Sequence, residues 1–322
     1  MWLLLPVASV TLLLCYCYHG SYRKYRKLLA SEPFNNSKEI KDPIHLKLES
    51  GQIPSWLNGI MYRIGPGIFN IKQNDGAVFS IRHGFDGLPF MHRFEVNGQT
   101  QALKYNSRLL AKSIEQDIEN KSYNFLVFFG HLSDVGFMQW LKQFIARLMD
   151  LVLFPKPRHQ HRPDGQSVGV TATPNFPLPT NMTQENERVL VSKTDANILQ
   201  KVHADTLEPQ HIFDYSAFDQ RLNGQLSAAH HQYDPVTGEV FNFTLTIGAK
   251  PRLVVFSISK EGKTTILGDT TQRADGSFIQ SPYIHSFWLT QNYIIIPESP
   301  LIYKGAGLNM LLHGSALSSM AW

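Results

Sequence analysis

Two histidines lie next to apolar strands, where a rigid scaffold can direct an imidazole at a metal ion or a substrate. His230 precedes the segment 234–238, whose Asp-Pro-Val-Thr-Gly sequence predicts a tight turn and a hairpin with the strand that begins near Val240. His285 precedes a second apolar strand, over 293–296. Neutral imidazole is a common ligand of transition metals. A single histidine is more often a hydrogen-bonded structural residue, so the residues alone leave both roles open.

A second group of potential ligands occurs earlier in the chain. His83 and Asp86 fall in a glycine-flanked turn, and His92 follows in the next apolar strand. Imidazoles and a carboxylate at this spacing are compatible with a metal site. The alternative is a turn whose role is purely structural.

The elements that position these residues are predicted to be mostly strands. From Leu46 onward, short apolar runs are separated by Gly, Asn, Asp and Pro, which is typical of a many-stranded β architecture. The period changes only between 135 and 154, where apolar residues recur at three-and-four spacing and predict an amphipathic helix. That helix is expected either to pack on the core or to lie on a membrane surface. The apolar face includes Phe137, Leu141, Phe144, Ile145 and Leu148.

The composition excludes several classes of protein. With 322 residues, 43% hydrophobic and 17% charged, the chain can bury a large core, and a net charge of +4 gives no reason to expect a nucleic-acid partner. The only cysteines, Cys15 and Cys17, lie in the first apolar run and cannot form a disulfide framework. Residues 2–18 are almost uninterruptedly apolar, and the cations Arg23, Lys24, Arg26 and Lys27 follow.

This pattern predicts a transmembrane signal-anchor over 1–18 and a basic, polar tether over 19–44. The main domain, over 45–322, is then expected on the cytosolic side of a single-pass protein of the endoplasmic reticulum membrane.

Two motifs around the histidines resemble those of a known family. Residues 229–239 read Ala-His-x-x-x-Asp-Pro-x-Thr-Gly-Glu, and residues 285–293 read His-Ser-Phe-x-x-Thr-x-Asn-Tyr. Both are similar to motifs of the carotenoid cleavage oxygenases, which include the retinoid isomerase of the visual cycle. The Arg-x-Gly-Pro element at 63–66 and the His-x-Phe-Asp-Gly turn at 83–87 resemble the same family. The resemblance extends from about Leu46 to the last residue, and it favours the structural interpretation of the turn at His83.

The resemblance implies an all-β fold, a seven-bladed β-propeller whose axis carries Fe(II) bound by four histidines. His230 and His285 match the first two ligands, and Asp195 matches a glutamate that orients an iron-bound histidine, although aspartate is one methylene shorter. The other two ligands would lie beyond Trp322, and His313 matches neither. We therefore expect an incomplete propeller from a chain truncated at its carboxy terminus. The amphipathic helix corresponds to an insertion that contacts the bilayer in the family.

The implied reaction is oxidative cleavage of a carotenoid or apocarotenoid double bond by O2, giving aldehyde or ketone products. The lipophilic substrate, O2 and the membrane bilayer are the expected partners. Stilbene cleavage is a less favoured alternative within the same chemistry. A catalytically inactive short form that binds an apocarotenoid, or has no function, is the alternative of a different class.

Overall fold

The first sheet of the computed structural model is antiparallel and contains four long strands. They are β1 (Ile40–Leu46), β2 (Asn58–Ile68), β5 (Leu88–Asn97) and β6 (Ala102–Leu109), in the spatial order β1-β6-β5-β2. A small hairpin of β3 (Asn70–Lys72) and β4 (Val78–Ser80) and the helix α2 (Lys112–Glu119) accompany this sheet. The structure describes residues 9–20, 34–123, 127–132, 135–154, 161–183 and 187–322, and the first of these ranges is a helix, α1.

Two further antiparallel sheets follow along the chain. The second contains β7 (Thr171–Pro174), β8 (Val189–Lys193), β9 (Leu199–His203) and β10 (Pro209–Phe213), in the order β10-β9-β8-β7. The third contains β11 (Leu226–Ser227), β12 (Gln232–Tyr233), β13 (Val240–Leu245), β14 (Leu253–Ile258) and β15 (Thr264–Thr270). Its main path is β11-β13-β14-β15, and β12 pairs with the other half of β13.

Short elements complete the described part. β16 (Trp288–Leu289) pairs with β17 (Ile294–Ile295), and β18 (Ile302–Tyr303) pairs with β19 (Met320–Ala321). The predicted amphipathic helix is observed as α3 (Phe137–Leu148), which continues into a π-helical turn over Met149–Leu153. A short helix, α4 (Leu308–His313), lies against α3.

Successive sheets share buried apolar clusters, which fixes their order in space. Side chains of the first and second sheets meet around Met91, Leu190 and Val202. Those of the second and third sheets meet around Val191 and Phe256. Each sheet thus packs its buried face against the next sheet. This packing brings the ends of strands from neighbouring sheets close together. The candidate site lies at one such edge.

The predicted hairpin after His230 is present. The Asp234 carboxylate accepts the backbone N–H of Val236 at 2.8 Å, and Gly238 adopts a φ of +76° that favours glycine. The backbone N–H of Gly238 donates to the carbonyl of Asp234 at 2.8 Å and closes the turn. The turn therefore sets the register of β12 on β13 and the place at which His230 leaves the sheet.

The predicted transmembrane signal-anchor over 1–18 is wrong. Within the described ranges, no helix is both long and apolar enough to cross a membrane. The predicted single-pass localisation fails with it. Residues 1–8 of the predicted anchor and 21–33 of the predicted tether lie outside the described residues.

The predicted fold class also needs correction. The chain is mostly β-sheet, but within the described residues the sheets form no closed ring, and the transmembrane helix of that prediction is not found. The strands instead form three successive antiparallel sheets followed by two-stranded pairs. Alternating apolar patterns specify strands and their buried faces but not how many sheets assemble around an axis. The predicted domain limits stay a prediction, with β1 beginning at Ile40 inside the range expected to be tether.

Candidate metal centre

His230 lies between β11 and β12, in a segment held by a buried asparagine. The Asn242 amide nitrogen donates to the carbonyl of Ala228 at 3.0 Å, and its oxygen accepts the N–H of Ala228 at 3.2 Å. The same amide nitrogen donates to the hydroxyl of the buried Tyr215 at 2.9 Å. Because Ala228 and Ala229 are buried on the sheet, the chain emerges with His230 as its first exposed residue.

His285 is brought to His230 by the main chain. The backbone N–H of His230 donates to the carbonyl of His285 at 3.4 Å, and His230 forms an isolated parallel bridge with Ser286. The two imidazole rings meet edge to face, with centroids 4.7 Å apart and planes at 73°. The structure thus brings together two histidines that are far apart in the sequence.

Asp195 follows the end of β8 and contacts His285 directly. Its Oδ1 lies 2.8 Å from Nδ1 of His285, so the imidazole Nδ1–H donates to the carboxylate. Its Oδ2 accepts the hydroxyl of Tyr283 at 2.8 Å. The carbonyl of Asp195 accepts the backbone N–H of Ser227 in β11 at 2.9 Å. Side chain and main chain of Asp195 therefore join the second sheet to both histidine segments.

These contacts change the proton affinities of the two rings in opposite directions. The hydrogen bond to Asp195 raises the pKa of His285 above its ordinary value. Burial, together with the neighbouring ring of His285, lowers the pKa of His230. Burial and the nearby carboxylate raise the pKa of Tyr283, which keeps that phenol protonated as a donor. His230 is consequently a neutral imidazole at pH 7, the form that binds metals.

Both imidazoles use Nδ1 on the protein side. Nδ1 of His285 faces Asp195, and Nδ1 of His230 lies 3.4 Å from the hydroxyl of Thr171 at the start of β7. An Nδ1 contact of this kind fixes the ring of a metal-binding histidine and leaves Nε2 for the metal. No group of three or more His, Cys, Asp or Glu side chains in the described ranges could hold a metal ion. The described chain therefore offers two imidazole donors, which suit iron and other first-row transition metals.

The group at His83 has a structural role. The carboxylate of Asp86 accepts three backbone N–H groups, from Phe129 at 2.5 Å, Gly130 at 2.8 Å and His131 at 2.7 Å. Nδ1 of His83 lies 3.0 Å from the same carboxylate. His92 contacts the hydroxyl of Tyr105 instead, at 2.8 Å. Asp86 thus fixes a loop, and this loop reaches the candidate centre because Phe129 packs against Tyr283 with centroids 5.7 Å apart.

Helix α3 is oriented with polar as well as apolar side chains toward the protein. Trp140, Gln143 and Arg147 are buried. The Trp140 indole donates to the carbonyl of Leu312 at 2.9 Å, and Nε of Arg147 donates to that of Leu311 at 2.7 Å. Burial lowers the pKa of Arg147 to about 10.

The apolar side chains of α3 therefore face outward to different degrees. Ile145 is exposed, whereas the four other residues predicted for its surface are half-buried: Phe137, Leu141, Phe144 and Leu148. Arg147 is buried because the carbonyls of Leu311 and Leu312, at the end of α4, accept its N–H groups. Within α3 and its π-helical turn, including Phe154 at its end, the most exposed apolar side chains are Met138, Val152, Leu153 and Phe154.

Several residues of the centre were not found from the sequence. They are Thr171, Lys193, His231, Asn242 and Tyr283. Tyr283 stands two residues before His285 and Lys193 two residues before Asp195, but His285 lies outside any strand and Asp195 follows the end of β8. Strand periodicity therefore gave no signal for either residue. His313 lies in α4, and no metal-binding cluster of the described residues includes it.

The family model described as retinal pigment epithelial membrane protein matches residues 34–322. The chain belongs to this family. The predicted resemblance to carotenoid oxygenases is thereby confirmed.

Curated relatives and solved structures agree with the family. The chain is 28% identical to a torulene dioxygenase of Fusarium fujikuroi, over 89% of this chain and 50% of that protein. It is also 28% identical to the β,β-carotene 15,15'-dioxygenase of Gallus gallus, over 82% of this chain and 46% of that protein. A cobalt-substituted Synechocystis apocarotenoid oxygenase superimposes with a TM-score of 0.59 at 16% identity, covering 93% of this chain and 54% of that one, which shows a similar fold. The chain spans about half the length of the curated relatives it matches.

Proposed function

We propose that this protein is an iron-dependent dioxygenase that cleaves a double bond of a carotenoid or apocarotenoid. The observation that carries the proposal is the paired arrangement of His230 and His285, each with Nδ1 engaged on the protein and 4.7 Å between ring centroids. Membership of the family supports it, and the relatives named torulene dioxygenase and carotene dioxygenase indicate the class of substrate.

In this proposal His230 and His285 bind Fe(II) through Nε2. Asp195 accepts the Nδ1–H of His285, which fixes the ring and raises the basicity of its free nitrogen. Tyr283 holds the second carboxylate oxygen so that Asp195 cannot rotate away. Bound Fe(II) would supply a centre at which O2 and an electron-rich double bond react to give two carbonyl products. The protein's own contribution is to hold neutral imidazoles in fixed orientation.

We further infer that α3 and the π-helical turn contact the bilayer surface, from which a lipophilic substrate would be taken. Met138 is 65% exposed, and the consecutive residues Val152, Leu153 and Phe154 are between 53% and 69% exposed. A run of large exposed apolar side chains is characteristic of interaction surfaces. Helix α1 packs against the same helix, with the ring of Tyr18 5.9 Å from that of Phe137. This contact supports a surface association that needs no helix across the membrane.

Metal binding tests the proposed centre. The chain is purified, loaded anaerobically with Fe(II), desalted and analysed for iron, beside His230→Ala, His285→Ala and the exposed control His211→Ala. Near-UV circular dichroism verifies that each variant is folded. We expect the first two variants to lose iron and His211→Ala to retain it. Unchanged iron in His230→Ala or His285→Ala would show that the ligands are assigned wrongly.

The same experiment separates the two classes of function. A folded parent chain that retains Fe(II) and converts an added apocarotenal to shorter carbonyl products supports the dioxygenase. The inactive, binding form is supported instead if the folded parent chain holds no iron and the added apocarotenal quenches its tryptophan fluorescence. Product formation is measured by separating the carbonyl products under air and under argon, since the reaction requires O2.

A further inference from the structure

Two adjacent histidines occur at the candidate centre, but they face different surroundings. His230 meets His285, whereas the ring of His231 packs edge to face on Phe176, with centroids 5.4 Å apart at 87°. Nδ1 of His231 contacts the side-chain amine of Lys193. Adjacent imidazoles are equivalent as ligands by chemistry, so the protein must select one of them.

Lys193 is an unusual lysine. It ends β8 with only 2% of its surface exposed, and its Nζ lies 5.0 Å from the centroid of the Phe176 ring. No ion pair of Lys193 with a carboxylate occurs among the residues that the structure describes. Lys201 in the neighbouring strand is equally buried but pairs with Glu187 at 2.6 Å. A buried ammonium without a counter-charge is costly, and burial accordingly lowers the pKa of Lys193.

The contact between Lys193 and His231 joins the side-chain amine to Nδ1 of the ring. When an N–H of the amine donates, Nδ1 of His231 is the acceptor and its Nε2 carries the hydrogen. The imidazole is thereby held in one tautomer between the amine and the ring of Phe176. Its lone pair is used within the protein.

One cross-strand pair of the second sheet contacts both histidines. Lys193 stands opposite Thr171 in the β7–β8 register, and the hydroxyl of Thr171 lies 3.4 Å from Nδ1 of His230. In an extended chain, neighbouring side chains point to opposite sides. Holding His231 on one side therefore directs His230 to the other, toward His285.

We propose that Lys193 is a positioning residue of the metal centre, which occupies Nδ1 of His231 and so excludes that imidazole from the centre while orienting His230. The selection of His230 as the ligand rests on the proposed metal-binding function. The contact of Lys193 with His231 does not depend on it. No metal is needed for the amine to fix the tautomer of His231.

The first test needs no metal. Proton–nitrogen correlation spectra of the 15N-histidine-labelled chain report imidazole tautomers, and His231→Gln assigns the signal of His231. We expect His231 to be a pure Nε2–H tautomer in the parent chain and a mixture in Lys193→Met, which keeps the length but removes the donor. Lys201→Met is the matched control, since it removes an equally buried lysine from the same sheet. An Nδ1–H tautomer of His231 in the parent chain would overturn the proposal without any variant.

The second test uses Co(II) as a visible-range probe. We expect Lys193→Met to weaken Co(II) binding about tenfold and to change its d–d absorption, as is usual when a group that orients a ligand is lost. Lys201→Met should leave both unchanged. Adding His231→Leu to Lys193→Met removes the competing imidazole and should restore the parent absorption. Parent-like binding in Lys193→Met, or no recovery in the double variant, would contradict exclusion of His231. If the parent chain bound no Co(II), the proposed function would fail, while the tautomer test would still decide the role of Lys193.

Discussion

Asp195 accepts the Nδ1–H of His285 at 2.8 Å, although its side chain is one methylene shorter than the glutamate expected from the family resemblance. The main chain at Asp195 contacts a histidine segment as well. Its carbonyl accepts the N–H of Ser227 in β11, and Tyr283 holds the other carboxylate oxygen. Asp195 therefore contacts His285 directly, with no intervening group.

Asp195→Asn should weaken metal binding. An amide is neutral and a poorer acceptor than a carboxylate, so the basicity of His285 falls and the ring is less firmly oriented. Loss of such a partner typically reduces metal affinity by about 10- to 100-fold. Competition titration with a chromogenic chelator measures this. The control is Asp219→Asn, in which the carboxylate that is changed pairs with Arg221 and accepts its backbone N–H. Equal affinity in Asp195→Asn and the parent chain would refute an orienting role.

Asp86→Ala should destabilise the fold more than a surface substitution. Three backbone N–H groups, of Phe129, Gly130 and His131, lose their shared acceptor in a buried loop. Unsatisfied buried donors cost about 1–3 kcal/mol each, so we expect a loss of roughly 3 kcal/mol after partial relaxation. Urea unfolding gives the value, and the exposed Asp42→Ala in β1 should change stability by less than about 0.5 kcal/mol. Similar midpoints for the two variants would contradict the role of Asp86.

Stability should fall with acidification because of His131. Burial lowers its pKa to about 4, with Asp86 opposing the shift and His83 and Arg82 adding to it. The unfolded state has a pKa of about 6.5, so it binds the proton first as pH falls. The folded state therefore has its full stability above pH 6.5 and loses about 2 kcal/mol by pH 5 from this residue.

His131→Phe should remove that part of the pH dependence. The comparison is between urea midpoints at pH 7 and pH 5 for the variant and the parent chain. Phenylalanine suits the site because the imidazole already packs between the rings of Phe79 and Phe128. A parent-like difference between the two pH values in the variant would show that other groups cause the acid sensitivity.

The exposed apolar side chains of α3 and its π-helical turn should determine vesicle binding. Met138→Glu combined with Val152→Glu is expected to reduce partition onto phosphatidylcholine vesicles at least tenfold, because two apolar side chains no longer transfer from water. Flotation on a density gradient measures the bound fraction. Val236→Glu places the same charge at a residue that is 90% exposed in the β12–β13 turn and should float like the parent chain. Unchanged flotation of the double variant would rule out this surface.

The sequence allowed the hairpin at 234–238 and the helix within 135–154 to be predicted, because turn chemistry and helical periodicity are local signals. It also indicated His230, His285 and Asp195 through motif resemblance, and the structure places these three in contact. The contact between Lys193 and His231 could not be predicted, since a lysine in a strand is normally solvated and its burial depends on Phe176 from another segment.

The buried face of α3 could not be predicted for a similar reason. A charged side chain such as Arg147 is expected toward solvent, and the carbonyls of Leu311 and Leu312 at the end of α4 make its burial favourable. The failed anchor prediction shows the same limit at the amino terminus. An apolar run indicates a preference for nonpolar surroundings but not what supplies them. Tyr18 contacts Phe137 and Trp140, whereas Leu12 and Leu13 are exposed.

The backbone bridge between His230 and the His285 segment separates two properties that are usually coupled. The spacing of the imidazoles depends on a main-chain hydrogen bond, which is kept by side-chain substitutions that leave the backbone conformation unchanged. Donor strength is set by side chains from another sheet, at Thr171 and Asp195. Substitutions at those strand ends, during evolution or in directed redesign, would therefore change the reduction potential of a bound ion. The distance between its two imidazole ligands would stay constant.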